Sequence, residues 1–533
     1  MSLFKSAATI SGLTFLSRIT GLARDIIIAR AFGASALTDA FWVAFRIPNL
    51  LRRLFAEGAF SQAFVPILGA YKEQYEEAQV KQLINHVTLI LGATLLIVSM
   101  LGAIFAPLIV TIMASGLARD GGQPFEAAIW MTRVMFPYIF CMSLVALASG
   151  VLNTWRKFAI PAFTPILLNF SMIGSALLLV NYFELPIYAL AVGVMIGGVL
   201  QLGTQWLALA KIGMLPRPSL SFSKAWQNST VRRIIKLMGP ATIGVSVAQI
   251  SLLINTNIAT WLPGGSVSWL SFADRLMEFP TALLGIALGT VLLPSLAAAH
   301  ANDDHQRYSQ LMDWGLRLIC LLGLPCMLGL ALLGDGLVAT LFNYGAFSSH
   351  DVAQTQMAVI AYGFGILGIL AVKILAPGFY AKQDIRTPVK IAIIVLILTQ
   401  VMNAVLVPLL KHSGLALSIG LGATLNAFLL YRGLRRREIY QPSGAWLKFF
   451  LRLLPALLLM ALWLILCANF INWEQDSSSG LIYQLSQQWS IFGGSSFVIW
   501  RLLALMTVLM GSGVIYFAGL YLSGFRVRDF LNR

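Results

Sequence analysis

Ser17-Arg-Ile-Thr-Gly-Leu-Ala-Arg24-Asp25-Ile-Ile-Ile-Ala-Arg30 has the apolar filling of a membrane-spanning helix but carries four charges. The first 64 residues hold six arginines, Arg18, Arg24, Arg30, Arg46, Arg52 and Arg53, against three acids, Asp25, Asp39 and Glu57. A charge at mid-bilayer costs about 2.5–3.5 kcal/mol on insertion scales, so such residues face a polar cavity or a partner. Arginine is also the side chain best matched to phosphate, through its planar bidentate fork. The cluster points to an anionic substrate handled inside the membrane.

The rest of the chain sets the fold class. Of 533 residues, 58% are hydrophobic and 11% charged, and long apolar runs recur throughout. That composition belongs to an all-α polytopic membrane protein. Apolar stretches near 20 residues predict about fourteen spans, the first centred near residue 20 and the last near 510. Met1 to Thr9 lacks a signal-peptide pattern, so the first span is expected to be retained. Cys141, Cys320, Cys326 and Cys467 lie in apolar stretches without paired spacing and read as small buried hydrophobes.

The net charge of +16 does not require nucleic acid, because it follows the loops. With the N-terminus inside, twenty-four basic residues fall in inside segments and two, Arg119 and Lys411, outside. The positive-inside rule therefore places both termini on the cytoplasmic side of a multi-pass membrane protein. Arg435-Arg-Arg-Glu reads as a solvated anchor, with a lipid-headgroup site as the alternative.

An internal repeat divides the chain. Ala63-Phe-Val-Pro66-Ile-Leu matches Val291-Leu-Leu-Pro294-Ser-Leu, and the following helix-opening prolines stand 95 and 94 residues on, at Pro161 and Pro388. Each later proline follows a short basic turn. Two six-helix lobes of parallel orientation are expected, residues 1–215 and 216–440, with two further helices in 441–533. In such transporters the substrate path lies between repeats near the midplane.

Within the first span, Ser17 and Arg24 are seven residues apart, as are Arg18 and Asp25. Seven residues rotate a helix about 20° short of two turns, so the four share one polar face. In the second span Asp39 and Arg46 share a stripe before Pro48, and Asn49, Arg52, Arg53 and Glu57 follow. Neutralisation within the protein is the competing reading of all these charges. It is preferred for Arg30 and Arg46, whereas Arg18, Arg24 and Arg52 are assigned to substrate because six arginines have three acids. Arg53 and Glu57, one turn apart, fit either reading. In the eighth span Asp274, Arg275 and Glu278 repeat the pattern, either as a plain Arg275–Glu278 pair or as a substrate-facing Arg275 oriented by two acids. Lys373 reads as an isolated snorkelling anchor, and the spacings Gly193/Gly197 and Gly285/Gly289 are weak packing signals.

Enzyme motifs are missing: no Walker A loop, no His-Glu-x-x-His, and five scattered histidines. No metal or cofactor is expected. The rivals to a transporter of this kind of anionic substrate are a drug or O-antigen-unit exporter, and a polyprenyl-linked glycosyltransferase or phosphatase. The latter would need a base or metal cluster at the membrane face.

Four segments carry a resemblance: Thr38-Asp-Ala-Phe, the stretch from Pro48-Asn-Leu-Leu-Arg-Arg to Ala-Phe-Val-Pro66, Ala273-Asp-Arg-Leu-Met-Glu-Phe-Pro280, and Leu375-Ala-Pro-Gly-Phe-Tyr380. With them the chain resembles, over nearly its whole length, the MurJ (MviN) family of bacterial lipid II flippases in the multidrug/oligosaccharidyl-lipid/polysaccharide exporter superfamily. The resemblance implies fourteen helices, a cationic cavity, and a groove for the lipid tail on the last two helices. It places functional arginines on Arg18, Arg24, Arg52 and Arg275, acidic partners on Asp25 and Asp39, and polar lining on Ser17 and Ser268. The implied substrate is lipid II, undecaprenyl-pyrophosphate linked to a disaccharide-pentapeptide, moved to the outer leaflet by alternating access for cell wall synthesis. Expected partners are lipid II, membrane lipids and the cell wall synthesis machinery. The membrane potential is the expected driving force, and no coupling ion is named by the sequence.

Overall fold

A computed structural model describes residues 3–53, 60–217, 221–473, 481–488 and 496–526. All regular structure among them is helical. In an apolar layer every backbone N–H and C=O must be satisfied within the segment, which leaves helices as the solution for runs such as these.

The chain forms two compact units, Met1–Ser268 and Trp269–Arg533. The first holds α1 (Leu3–Phe32), α2 (Ala36–Arg52), α3 (Phe60–Gln74), α4 (Glu77–Ile104), the short α5 (Ala106–Met113) and α6 (Ser115–Asp120), and α7 (Gly122–Met135). It continues with α8 (Tyr138–Thr154), α9 (Ala159–Leu178), α10 (Tyr188–Lys211), α11 (Phe222–Gln227) and α12 (Ser229–Ala259). Helix α13 (Ser266–Ala301) begins in this unit and ends in the other. The second unit holds α14 (His305–Leu332), α15 (Gly334–Phe342), α16 (Ser349–Gly363), α17 (Ile366–Tyr380), α18 (Arg386–Arg436), α19 (Trp446–Phe470), α20 (Leu481–Gln488) and α21 (Ser496–Leu522).

These units differ from the lobes drawn by the repeat, residues 1–215, 216–440 and 441–533. Helix α12, which the repeat gives to the second lobe, packs on α3, α4, α5 and α6. Its Val231 and Ile234 join a core with Phe64, Val80, Leu83 and Leu147. Helices α19 and α21 pack on each other, and α19 on α14, within the second unit.

Nine helices among the described residues are long and apolar enough to cross a membrane. Helix α18 counts once, yet its 51 residues break at Lys411 (φ 52°, ψ −131°), so it supplies two crossings. Helix α1, with Arg18, Arg24, Asp25 and Arg30 inside it, and the 17-residue α2 are not among the nine. The arrangement is compatible with the fourteen expected.

Close helix packing uses glycine. A Cβ at Gly193 would lie 2.0 Å from Ser175 Oγ and one at Gly197 2.5 Å from Ser171 Oγ, so the weak spacing signal marks where α10 meets α9. In the second unit a Cβ at Gly365 would lie 2.2 Å from Gly420 Cα, and one at Gly368 2.4 Å from Thr424 N. Without a hydrophobic drive between helices in lipid, such contact supplies the van der Waals attraction.

The basic turn before α18 is ordered by Asp384. Its carboxylate accepts from the Thr387 hydroxyl (2.6 Å), the Thr387 N–H (3.0 Å) and Arg437 Nη1 (2.5 Å). The Thr387 hydroxyl first, then the other bonds, hold its pKa down at about 2, from 3.8. The stabilisation is therefore present above pH 4 and is lost as pH falls toward 2.

Gly365→Ala should force α17 and α18 apart and cost roughly 1–3 kcal/mol, the usual price of overpacking. Thermal unfolding of purified protein measures this, with Gly329→Ala, where a Cβ meets nothing within 4 Å, as the control expected to keep the parent melting temperature.

Candidate substrate-binding site in the first two helices

The polar face of α1 is turned onto α9. Arg24, 6% exposed, donates from Nε (2.8 Å) and Nη2 (2.7 Å) to Asp25 Oδ1, and from Nη1 to Asn169 Oδ1 (3.1 Å). Asn169 in turn donates through Nδ2 to the Ser17 carbonyl and to Thr20 Oγ1, both at 3.0 Å. Ser17, Thr20 and Arg24 are thus gathered by one amide from another helix. Arg18 and Ser17 are half-buried beside them.

The arrangement matches the expected polar face but changes what it does. Asp25 neutralises Arg24 directly, and the guanidinium is buried between helices. Asn169 escaped the sequence reading, although a lone amide in the apolar run Pro165-Ile-Leu-Leu-Asn169 was a visible signal.

Asp39 is not paired with Arg46. It is buried in the first turn of α2 and accepts from Gly265 N (2.7 Å), Ser268 N (2.7 Å) and Ser268 Oγ (2.6 Å). These donors are at the N-terminus of α13, where a helix leaves amide groups unsatisfied and carries partial positive charge. Asp39 therefore caps a helix 226 residues away in sequence. Gly265 makes the entry possible with φ +97°, a conformation suited to glycine. Ser268, expected as cavity lining, is fully buried against this carboxylate.

Arg46 hydrogen-bonds the Thr256 hydroxyl of α12, in keeping with a structural role. Arg30 lies exposed in the last turn of α1, where a cation favours the helix dipole. Asn49 is half-buried and Arg53 exposed at the end of α2. Glu57 and the Arg52 side chain lie outside the described residues.

In the second unit Arg275 Nη1 meets Glu278 Oε2 at 2.9 Å across one turn of α13, and Asp274 is exposed beside them. Two turns on, Lys373 of α17 donates to the Thr281 carbonyl at 2.8 Å. A Cβ at Gly285 would lie 2.4 Å from its Nζ, so that glycine makes room for the amine. The sequence reading took Lys373 for an isolated snorkelling anchor; here it is packed on the helix that carries Arg275. No cluster of metal-ligating side chains occurs among the described residues.

Comparison with known proteins gives the family. The lipid II flippase MurJ family matches residues 28–485. This chain belongs to that family. A lipid II flippase MurJ from Burkholderia cenocepacia is 55% identical over 473 residues, covering 89% of this chain and 92% of the relative. A probable lipid II flippase MurJ from Haemophilus influenzae is 42% identical, covering 85% of this chain and 90% of the relative. Among solved structures, a lipid II flippase MurJ in an inward closed conformation superimposes with a TM-score of 0.74 at 23% identity, covering 95% of this chain and 98% of that one. An inward-facing multidrug MATE transporter of the MOP superfamily follows at 0.64 and 16% identity, covering 81% of this chain and 98% of its own. The fold of MurJ and of this wider superfamily is thus the fold of this chain.

Asp39→Ala would strand two backbone N–H groups and a hydroxyl, at about 1–3 kcal/mol per buried unsatisfied group. The expected outcome is a clear drop in melting temperature, larger than that of Ser268→Ala, which removes one donor and leaves both amides capped.

Proposed function

We propose that this chain flips lipid II across the membrane, acting as a transporter and not as an enzyme. Family membership over most of its length supports this, and one observation carries the chemistry: Arg24 is buried in a membrane helix, its third face held by a neutral amide. A pyrophosphate offers a charged, bidentate acceptor in place of Asn169 Oδ1, and charge-assisted bonds are about twice as strong as neutral ones. Asp25 keeps the guanidinium oriented through the exchange.

The substrate headgroup, a pyrophosphate bearing a disaccharide-pentapeptide, cannot cross about 30 Å of hydrocarbon unaided. In this reading Arg18, Arg24 and Arg52 supply cations from the first unit, and Arg275, oriented by Glu278 and Asp274, from the second. Ser17, Asn49, Arg53 and Glu57 are the polar residues near them in the sequence. Asp39 and Ser268 hold the start of α13. The polyprenyl tail stays in lipid along α19 and α21, whose Leu451, Leu458, Leu462, Met506, Met510 and Val514 are exposed.

The loop charges support an inner-membrane protein with cytoplasmic termini and transport from the inner to the outer leaflet. Surplus positive charge returning toward a negative interior gains about 2.3 kcal/mol per charge per 100 mV moved fully across, so the potential drives the reset. The flipped unit is a building block of the cell wall, which makes the enzymes that polymerise it the natural partners.

Proteoliposomes loaded with labelled lipid II test this. Arg24→Ala and Arg275→Ala should each lower flipping at least about tenfold, a loss near 1.4 kcal/mol, while inserting normally. Equal flipping of undecaprenyl-phosphate sugars, or full complementation of a depleted strain by both variants, would sink the assignment.

A further inference from the structure

The second unit contains a cavity of about 470 Å³ lined by none of the residues assigned to the substrate headgroup, where α14, α19 and the end of α21 converge. It is lined by the cations Arg317, Lys448 and Arg452 and by the rings of Trp314, Phe449 and Phe525. The polar first turns of α14, His305 to Asp313, stand at the end of the helix that the loop charges assign to the cytoplasm. Lys448 and Arg452 occupy the first two turns of α19. The cavity therefore sits at the membrane–water boundary, where aromatic rings and basic side chains collect.

The cations are arranged unequally. Arg317 is fixed: Nη2 donates to Ser443 Oγ (2.5 Å) and reaches Asp313 Oδ2 (3.5 Å), and its guanidinium lies 5.4 Å from the Trp446 ring centroid and 5.8 Å from that of Phe449. Asp313 would oppose an anion, but it is engaged by Tyr440, Ser443 N (3.1 Å) and Trp446 Nε1 (3.1 Å). Lys448 and Arg452 are exposed, and among the described residues neither meets a carboxylate within 4.0 Å. One anchored guanidinium and two open cations above an aromatic floor form an anion site with an apolar side. Beyond it, Leu447 and Leu454 of α19 lie exposed, a surface for acyl chains.

We propose that this cavity binds the phosphate headgroup of an anionic membrane phospholipid, with Lys448 and Arg452 contacting the phosphate beside the fixed Arg317. Basic pockets between membrane helices on the cytoplasmic side have the chemistry for such headgroups. The inference rests on the membrane-spanning architecture and stands apart from what the chain transports. Occupancy would bridge α14 and α19 at one end, stiffening the base of the helices along which the polyprenyl tail is proposed to run.

Native mass spectrometry of the purified full-length protein with dioctanoyl phosphatidylglycerol and dioctanoyl phosphatidylcholine provides the test. The double variant Lys448→Gln/Arg452→Gln should weaken phosphatidylglycerol binding about thirtyfold, at roughly one charge contribution per side chain, and leave phosphatidylcholine binding as it was. The exposed double variant Arg233→Gln/Lys236→Gln, with the same change in net charge, should keep the parent affinity. Equal affinity for the two lipids in the parent, or equal losses in the two double variants, would overturn the site. A further arm uses undecaprenyl pyrophosphate. If Lys448→Gln/Arg452→Gln weakens that lipid and spares phosphatidylglycerol, the phosphate belongs to a polyprenyl carrier and the phospholipid assignment falls.

Discussion

A guanidinium inside an apolar layer must bring its polar surroundings with it, and Arg24 shows how the first unit meets that demand. The acid lies next in sequence, so Asp25 needs no tertiary contact to be near, but bonds of 2.7 and 2.8 Å require both side chains to be held. Asn169 supplies the hold from α9, and by also bonding Ser17 and Thr20 it fixes the register between α9 and α1. Deleting one partner of such a buried set leaves an uncompensated group, which is why buried charges constrain helix placement more tightly than apolar contacts do.

The same constraint is met differently elsewhere. Asp39 uses the open amides at the start of α13 in place of a cation. Lys373 uses the Thr281 carbonyl and the space left by Gly285. Arg501 of α21, fully buried, donates to Asn343 Oδ1 (3.3 Å), the Asn343 carbonyl (3.1 Å) and the Trp473 carbonyl (3.0 Å), and stacks on Tyr344 and Phe497. In each case backbone polarity takes up part of a charge that composition alone would pair with a counter-ion.

That is also where sequence reading stops. The helical class and the family were legible, because apolar run length and the segments around Pro48–Pro66 and Ala273–Pro280 are local features. Matching acids to arginines was not, since Asp39 found a helix terminus and Arg24 an amide. Glycine spacing was readable as pattern at Gly193 and Gly197 but had no partner until Ser171 and Ser175 stood opposite. The repeat predicts halves divided before α12, whereas α12 packs on the helices before it, because its apolar face meets Phe64, Val80, Leu83 and Leu147 there.

A transporter also needs its cation to be neither free nor fully spent. A bare arginine would hold a pyrophosphate too tightly to release it, and a guanidinium closed by two carboxylates would not bind one. Arg24 has one charged partner and one neutral partner, so in the proposed reading the bound and empty states would differ by the exchange of an amide for a phosphate oxygen. A ligand shifts a conformational equilibrium only by its differential affinity for the two states. Because Asn169 belongs to α9, the proposed exchange would remove one bond between α1 and α9 and leave the Nδ2 bonds to Ser17 and Thr20 in place. In the proposed reading, the side chain that satisfies the empty site is thereby the one through which α9 senses the substrate.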